Sequence, residues 1–195
     1  MRRGMTPDAL KKFMLEQGPS KNTNLMEWDK IWAYNKDVID SKAPRYTAIV
    51  METTAKLTLT NVPDLKTEKH PRHPKNPDLG EHDVWFGKDL FIESGDAEDI
   101  EVGEKITLMK WGNAKVTKKD KDANGTISLE AEVMPDDKDF KKTKKITWIA
   151  ADPSTNFEIT LVELDHLITK KKVEENEKVQ DIVNTNSYIA YNAKG

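Results

Sequence analysis

Cysteine is absent from the 195 residues of this sequence. That absence excludes disulfide bonds, thiolate nucleophiles and zinc sites that depend on cysteine ligands. Long apolar runs are absent as well, so we expect no membrane-spanning helix, and the first residues do not show the pattern of a secretory signal. A reducing intracellular setting is compatible with these absences.

The motifs of common catalytic sites are also missing. We find no glycine-rich phosphate loop, no Walker-type lysine and no grouping of serine, histidine and aspartate at an informative spacing. His70, His73 and His82 lie close together in the sequence, but no helical or hairpin spacing pairs them. We therefore predict neither a catalytic site nor a metal site in this chain.

Charged residues make up 33% of the sequence and hydrophobic residues 36%, which is typical of a soluble, folded protein. The length allows one domain or two small ones with a substantial core.

The net charge of −3 hides an uneven distribution. Residues 78–104 contain ten acidic side chains and one basic side chain, Lys88, whereas residues 105–150 contain eleven basic and seven acidic side chains. Because local patches rather than totals attract phosphates, a nucleic-acid-binding face is compatible with the acidic balance. The alternative is that these charges only keep the surface solvated.

Two helices are predicted before the first strand. Thr6 as N-cap and Pro7 in the first turn start one helix, which Gly18 ends. Its apolar side contains Leu10, Phe13 and Met14, and we expect it to be covered by the following barrel or by another domain.

The second helix has apolar residues at helical spacing, and Asn24 with Glu27 has the spacing of a capping box. Pro44 disfavours helix at Ala43, so the chain becomes extended there. The apolar positions are Leu25, Trp28, Ile31, Trp32, Val38 and Ile39.

After Arg45 the hydrophobic pattern alternates with a period of two, which indicates strands. Asn124-Gly125 predicts a hairpin turn. Many short strands without βα repeats favour a mainly β fold of barrels or sandwiches. We predict a loop at 62–83, an acidic loop at 94–104 and a helical turn near 179–183; the predicted strands are 46–50, 56–60, 84–86, 90–92, 105–111, 126–133, 146–149 and 157–164.

Several short segments combine into one resemblance. They are Arg2-Arg3-Gly4-Met5-Thr6, Ala43-Pro44-Arg45-Tyr46, His73-Pro74-Lys75-Asn76-Pro77, Trp111-Gly112-Asn113 and His166-Leu167-Ile168-Thr169. Together with the Trp28–Trp32 stretch WDKIW, this ordered set resembles the region of eukaryotic-type glutamyl-tRNA synthetases that starts at the junction helix and continues into the anticodon-binding domain.

The resemblance implies a fold of two end-to-end antiparallel β-barrels preceded by a small helical subdomain. The corresponding division is a helical subdomain at 1–44, a proximal anticodon-binding barrel at 45–134 and part of a distal barrel at 135–195. The family continues beyond residue 185 with strands that return to the proximal barrel. We expect this return strand to be missing here and the proximal barrel to have an open edge.

The same resemblance implies a function. The chain is expected to recognise the anticodon arm of tRNA(Glu) for a cytoplasmic glutamate–tRNA ligase. The class I signatures HIGH and KMSKS are absent, so ATP, magnesium and glutamate are expected to bind in an upstream catalytic domain, and no cofactor is expected here. The alternatives are a protein-interaction module of a synthetase complex and the equivalent region of a glutaminyl-tRNA synthetase.

The resemblance also selects candidate contacts with the anticodon. Arg45 is the first choice, because it follows Pro44 at a helix-to-strand corner beside Tyr46, where a guanidinium and an aromatic ring could engage unstacked bases. The further candidates are Lys75, Asn76, Lys110, Trp111 and Asn113. Trp111 has an equally strong alternative as a core residue.

A dense basic run completes the predicted interface. Its lysines are expected to contact phosphates with little base specificity, the alternative being a solvated strand start. They are Lys141, Lys142, Lys144 and Lys145.

Overall fold

A computed structural model describes residues 4–63 and 65–195. The fold is mainly β, with 36% of residues in strands and 20% in helices, and it has a small helical N-terminal part. This confirms the predicted fold class. Arg2 and Arg3 of the first resembling segment lie outside the described residues. None of the helices in the described ranges is long and apolar enough to cross a membrane.

The chain divides into two compact units. The first contains the residues through Arg45, together with Pro71–Glu81 and Val162–Ile189. The second contains Tyr46–His70, His82–Leu161 and Ala190–Gly195. The predicted division into 1–44, 45–134 and 135–195 remains a prediction.

Helix α1 (Pro7–Glu16) forms as predicted from its local signals. The side chain of Thr6 accepts a hydrogen bond from the backbone N–H of Ala9 at 3.2 Å, which satisfies one of the free donors at the helix start. Gly18 follows the helix with a φ of 71°, a left-handed conformation that glycine adopts without steric cost.

Helix α2 (Trp28–Asp40) begins later than the capping-box prediction requires. Glu27 is its N-cap and makes no side-chain capping bond, so the predicted Asn24–Glu27 box is wrong. The helix is held instead by the buried Asn35, whose Oδ1 accepts from the backbone N–H of Thr6 at 2.8 Å and whose Nδ2 donates to the carbonyl of Gly4 at 3.0 Å. These are tertiary contacts, which a local pattern does not reveal.

Within residues 4–63 and 65–195, twelve strands follow in chain order. They are β1 (Ile49–Val50), β2 (Thr54–Leu59), β3 (Lys66–Pro71), β4 (Glu81–Phe86), β5 (Asp89–Glu93), β6 (Lys105–Leu108), β7 (Gly112–Lys121), β8 (Ile127–Val133), β9 (Lys144–Ile146), β10 (Trp148–Ala150), β11 (Glu158–Leu164) and β12 (Tyr188–Lys194). Two further short helices are α3 (Ser94–Asp99) and α4 (Val179–Ile182).

Seven strands form a nearly closed barrel sheet in the order β10-β5-β2-β8-β7-β6-β9. Alternate side chains fill its interior, among them the fully buried Leu57, Leu90, Ile106 and Ile146. The Asn124-Gly125 prediction is confirmed, since β7 and β8 pair antiparallel on either side of that turn. Two pairs, β2 with β8 and β6 with β9, are parallel, so the sheet is mixed rather than purely antiparallel.

The strand predicted at 146–149 is interrupted at Thr147. Its first part lies in β9 beside β6, and its second part is β10, which pairs with β5. The sheet therefore continues past residue 134.

Two predicted loops contain regular structure. Within 62–83, β3 pairs with β4 in a two-stranded sheet. Within 94–104, α3 forms, and its own residue Ala97 is buried. The loop predictions are wrong at these positions, because most side chains of β3 are exposed and α3 has only six residues. Neither element has the apolar periodicity on which the prediction depended.

The end of the chain also differs from the prediction. Strand β12 pairs antiparallel with β1, with Lys194 opposite Ile49, in a sheet of order β1-β12-β11. A strand returning to the second unit is therefore present, contrary to the expectation. The helical turn predicted near 179–183 is confirmed as α4.

Candidate nucleic-acid interface

Arg45 lies in the first unit, shortly after the end of α2. Its backbone N–H donates to the carbonyl of Arg72 at 2.7 Å, which fixes the backbone at the corner. Its Nη2 donates to Oδ1 of Asp40 at 2.9 Å, and both side chains are about half exposed, at 52% and 47%. The guanidinium is therefore oriented by one carboxylate while it remains accessible to solvent.

Asn76 has a structural role in the same unit. Its Nδ2 donates to the carbonyl of Ser41 at 2.6 Å, and its Oδ1 accepts from the backbone N–H of Asp78 at 3.2 Å. Because both ends of the amide are used, Asn76 attaches its loop to the end of α2. The neighbouring Lys75 is exposed, and its backbone N–H donates to Nδ1 of the buried His73 at 3.1 Å.

A second group of candidates lies in the second unit. Tyr46 is 66% exposed, and its ring lies 5.7 Å from the ring of His82 at an interplanar angle of 59°. Nζ of Lys110 lies 3.3 Å from Nε2 of His82. The fold thus brings two predicted residues, Tyr46 and Lys110, against a histidine that we considered only as a metal ligand.

Lys110 has an unusual backbone conformation. Its φ is 67°, and it is the only non-glycine residue with a positive φ in the described ranges. It lies in the turn between β6 and β7, where the left-handed conformation reverses the chain. Partial burial of the amine lowers the pKa of Lys110, even though the residue as a whole is exposed. A charged side chain at this position is costly for the fold, which makes it a candidate for function.

Trp111 and Asn113 occupy interior positions. The Trp111 ring is half-buried and lies 5.0 Å from the rings of both Phe86 and Trp148. These contacts fit the alternative prediction that Trp111 is a core residue. Asn113 is 0% exposed; its Oδ1 accepts from Thr107 at 2.6 Å and its Nδ2 donates to the carbonyl of Asp139 at 2.9 Å. The side chain of Asn113 is thus fully buried and hydrogen-bonded, and its contact with an anticodon base stays a prediction.

The four lysines of the basic run differ in their contacts. Lys144 forms an ion pair with Glu104 at 3.1 Å and donates to the carbonyl of Asp99, while Lys145 donates to the carbonyl of Thr143 at 2.7 Å. Lys141 and Lys142 are exposed, and within residues 4–63 and 65–195 the ammonium group of neither forms an ion pair, although the backbone N–H of Lys141 donates to Oδ1 of Asp139 at 3.2 Å. Two of the four lysines thus contact the protein itself, and two present their ammonium groups to solvent.

Glu104 contributes to the same network. The backbone N–H of Glu101 donates to its carboxylate at 2.9 Å, and this bond, together with the ammonium of Lys144, lowers the pKa of Glu104.

Comparison with known proteins connects this geometry to a family. Residues 43–134 match the family model described as tRNA synthetases class I (E and Q), anti-codon binding domain. The matched segment includes Arg45, Tyr46, His82 and Lys110. This part of the chain is similar to that family.

The relatives extend the similarity over almost the whole chain. The cytoplasmic glutamate–tRNA ligase of Arabidopsis thaliana is 46% identical over 191 residues, which is 96% of this chain and 26% of the relative. The enzyme of the same name from Saccharomyces cerevisiae is 46% identical over 184 residues, 93% of this chain and 25% of the relative. The bifunctional glutamate/proline–tRNA ligase of Cricetulus griseus is 44% identical over 191 residues, 96% of this chain and 12% of the relative. The chain thus spans about a quarter of the two monofunctional relatives.

Proposed function

We propose that this chain recognises the anticodon arm of tRNA(Glu), as the anticodon-binding region of a cytoplasmic glutamate–tRNA ligase. The family match over residues 43–134 and the names of the relatives support this proposal. ATP- and magnesium-dependent activation of glutamate then belongs to other parts of the ligase, because the chain contains no motif for it.

The observation that carries the proposal is the group formed by Tyr46, His82 and Lys110. Recognition of single-stranded RNA uses aromatic rings that stack on splayed bases and cations that meet base edges or phosphates. An exposed tyrosine ring and an oriented ammonium both lie against one histidine in the matched domain. In the first unit, Arg45 offers a planar guanidinium with the donor geometry that base edges and phosphates accept.

The test is a binding titration with three polyanions at fixed salt. The ligands are a tRNA(Glu) transcript, the same transcript with its anticodon replaced, and heparin as an acidic polymer without bases. We expect the tightest binding to tRNA(Glu), weaker binding to the anticodon-swapped transcript and the weakest binding to heparin. Equal affinity for all three ligands would show that the binding is nonspecific attraction between charges.

Binding to a protein partner is the second candidate function. Leu10, Met14 and Leu15 of α1 and Trp28 of α2 remain exposed, so the helices present apolar surface. If the chain bound no tRNA but co-purified stoichiometrically with another part of a synthetase assembly, this second function would be favoured.

A further inference from the structure

We propose that His82 is a positioning residue that holds the ammonium group of Lys110 in place for contact with RNA. This inference rests on the proposed function and adds to it a residue that the sequence motifs did not select. Three observations carry it: the His82–Lys110 contact, the backbone conformation of Lys110 and the position of Tyr46 on the His82 ring.

The contact defines the state of the imidazole. Nζ of Lys110 is 3.3 Å from Nε2 of His82. A lysine ammonium has three donors and no acceptor, so Nε2 must accept and the ring proton must lie on Nδ1. In this arrangement His82 acts as a fixed acceptor for one Lys110 proton.

The backbone explains why an acceptor is needed. Lys110 directs its side chain from a tight turn with a φ of 67°, and the flexible side chain of a lysine loses considerable rotamer entropy when it binds a ligand. An intramolecular hydrogen bond restricts the side chain before RNA arrives, which reduces that loss. Two ammonium protons remain available to acceptors on a base or a phosphate.

Tyr46 supplies the other half of the arrangement. Its exposed ring lies 5.7 Å from the His82 ring, so the imidazole contacts both an aromatic ring and the ammonium group. The chemistry that fits is a single-stranded nucleotide whose base stacks on Tyr46 while a base or phosphate oxygen accepts from Lys110. In this arrangement His82 acts through Lys110 and need not touch the nucleotide.

Two substitutions of His82 separate the acceptor from the ring. His82→Phe keeps an aromatic ring against Tyr46 but removes the acceptor. His82→Gln removes the ring but supplies an amide oxygen that accepts a hydrogen bond. We expect His82→Phe to weaken binding to tRNA(Glu) about fivefold to tenfold and His82→Gln to restore it to within about twofold of the unmodified chain.

A double-mutant cycle with Lys110→Gln tests the coupling. If His82 acts through Lys110, the double variant H82F/K110Q should bind no more weakly than K110Q alone. Additive losses would show that the two residues act independently and would overturn the proposal. Equal binding losses in His82→Phe and His82→Gln, with unchanged melting temperatures, would overturn it as well.

A measurement without RNA separates this inference from the proposed function. In a lysine-selective ¹H–¹⁵N spectrum of the free protein, the Lys110 ammonium protons should exchange slowly, and that signal should disappear in His82→Phe and persist in His82→Gln. A signal unaffected by His82→Phe would refute the positioning role, whatever the affinity for RNA. If the unmodified chain bound no tRNA, the proposed function would fail together with the RNA role of His82, while the spectrum would still decide whether His82 orders Lys110.

Discussion

Replacing Lys110 by glycine should make the protein more stable and its binding to tRNA weaker. Lys110 has a φ of 67°, where a side chain with a Cβ atom costs about 1–2 kcal/mol and glycine costs almost nothing. The substitution also removes an amine whose pKa is lowered by partial burial, which is a further small gain. Against this, the variant loses the hydrogen bond to His82 and gains chain entropy in the unfolded state.

The net expectation is a gain of about 1 kcal/mol. For a chain of this size, that corresponds to an increase in melting temperature of roughly 2–4 °C. Urea denaturation followed by circular dichroism gives the free energy of unfolding, and the same preparation is titrated with tRNA(Glu). Binding should weaken about tenfold, because an oriented ammonium is removed from the proposed interface.

Lys88→Gly is the matched control. Lys88 is also an exposed lysine between two strands, β4 and β5, but its φ is not positive, so glycine there should destabilise the protein by roughly 0.5–1 kcal/mol. The reasoning about backbone strain would be refuted if Lys110→Gly lowered stability as much as this control. If Lys110→Gly stabilised the protein and left tRNA affinity unchanged, the strain would be real but unrelated to RNA.

Three other predictions concern the charged residues. Arg45→Lys should cost roughly 1–3 kcal/mol of binding free energy with tRNA(Glu) and much less with an anticodon-swapped tRNA, because lysine keeps the charge but not the planar guanidinium. The melting temperature should not change. An equal effect on both tRNAs would mean that Arg45 contacts the phosphate backbone. Replacing Lys141 and Lys142 together by glutamine should flatten the plot of log K against log salt by about 0.7 to 0.9 for each phosphate that the variant no longer neutralises, whereas an unchanged slope would mean that both are merely solvated. The hydrogen bond from Glu101 and the ammonium of Lys144 lower the pKa of Glu104. The stability that these interactions contribute is therefore fully present at a pH above the ordinary carboxyl pKa of 4.5, and it is lost as the pH falls through the lower pKa of the folded state. Glu104→Gln should therefore flatten the acid limb of a plot of unfolding free energy against pH, and an unaltered acid limb would show that these interactions contribute little.

Elements with local signals were predictable from the sequence. Helix α1 begins at Thr6-Pro7 and ends before Gly18, and the β7–β8 hairpin turns at Asn124-Gly125, because these residues favour their backbone conformations without help from the rest of the fold. The start of α2 was not predictable, since Asn35 reaches back 31 residues to Gly4. Strand β3 was missed and β4 was predicted only at 84–86, because the residues of β3 and of the first half of β4 are mostly polar and show no apolar alternation.

The candidate site shows the same limit. The motif around residue 111 located the turn, but side-chain directions within it depend on distant partners. Asn113 is satisfied by the carbonyl of Asp139, 26 residues away, and Lys110 meets His82, 28 residues away. No local spacing encodes either contact, so the sequence revealed neither the buried hydrogen bonds of Asn113 nor the contact of His82 with Lys110.

The turn that presents Lys110 is fixed by hydrogen bonds on both sides. The backbone N–H of Trp111 donates to the carbonyl of Leu108 at 3.0 Å, and Nε1 of Trp148 donates to the carbonyl of Met109 at 2.7 Å, so the turn that contains Lys110 is held on both sides. A lysine in the left-handed backbone conformation persists only where the surrounding structure fixes the backbone. The aromatic ring of Trp111 supplies that constraint after the turn. Substitutions at Trp111 should therefore reduce RNA binding at least as far as they loosen the turn that presents the Lys110 ammonium, in addition to any loss of the predicted contact of Trp111 with the anticodon.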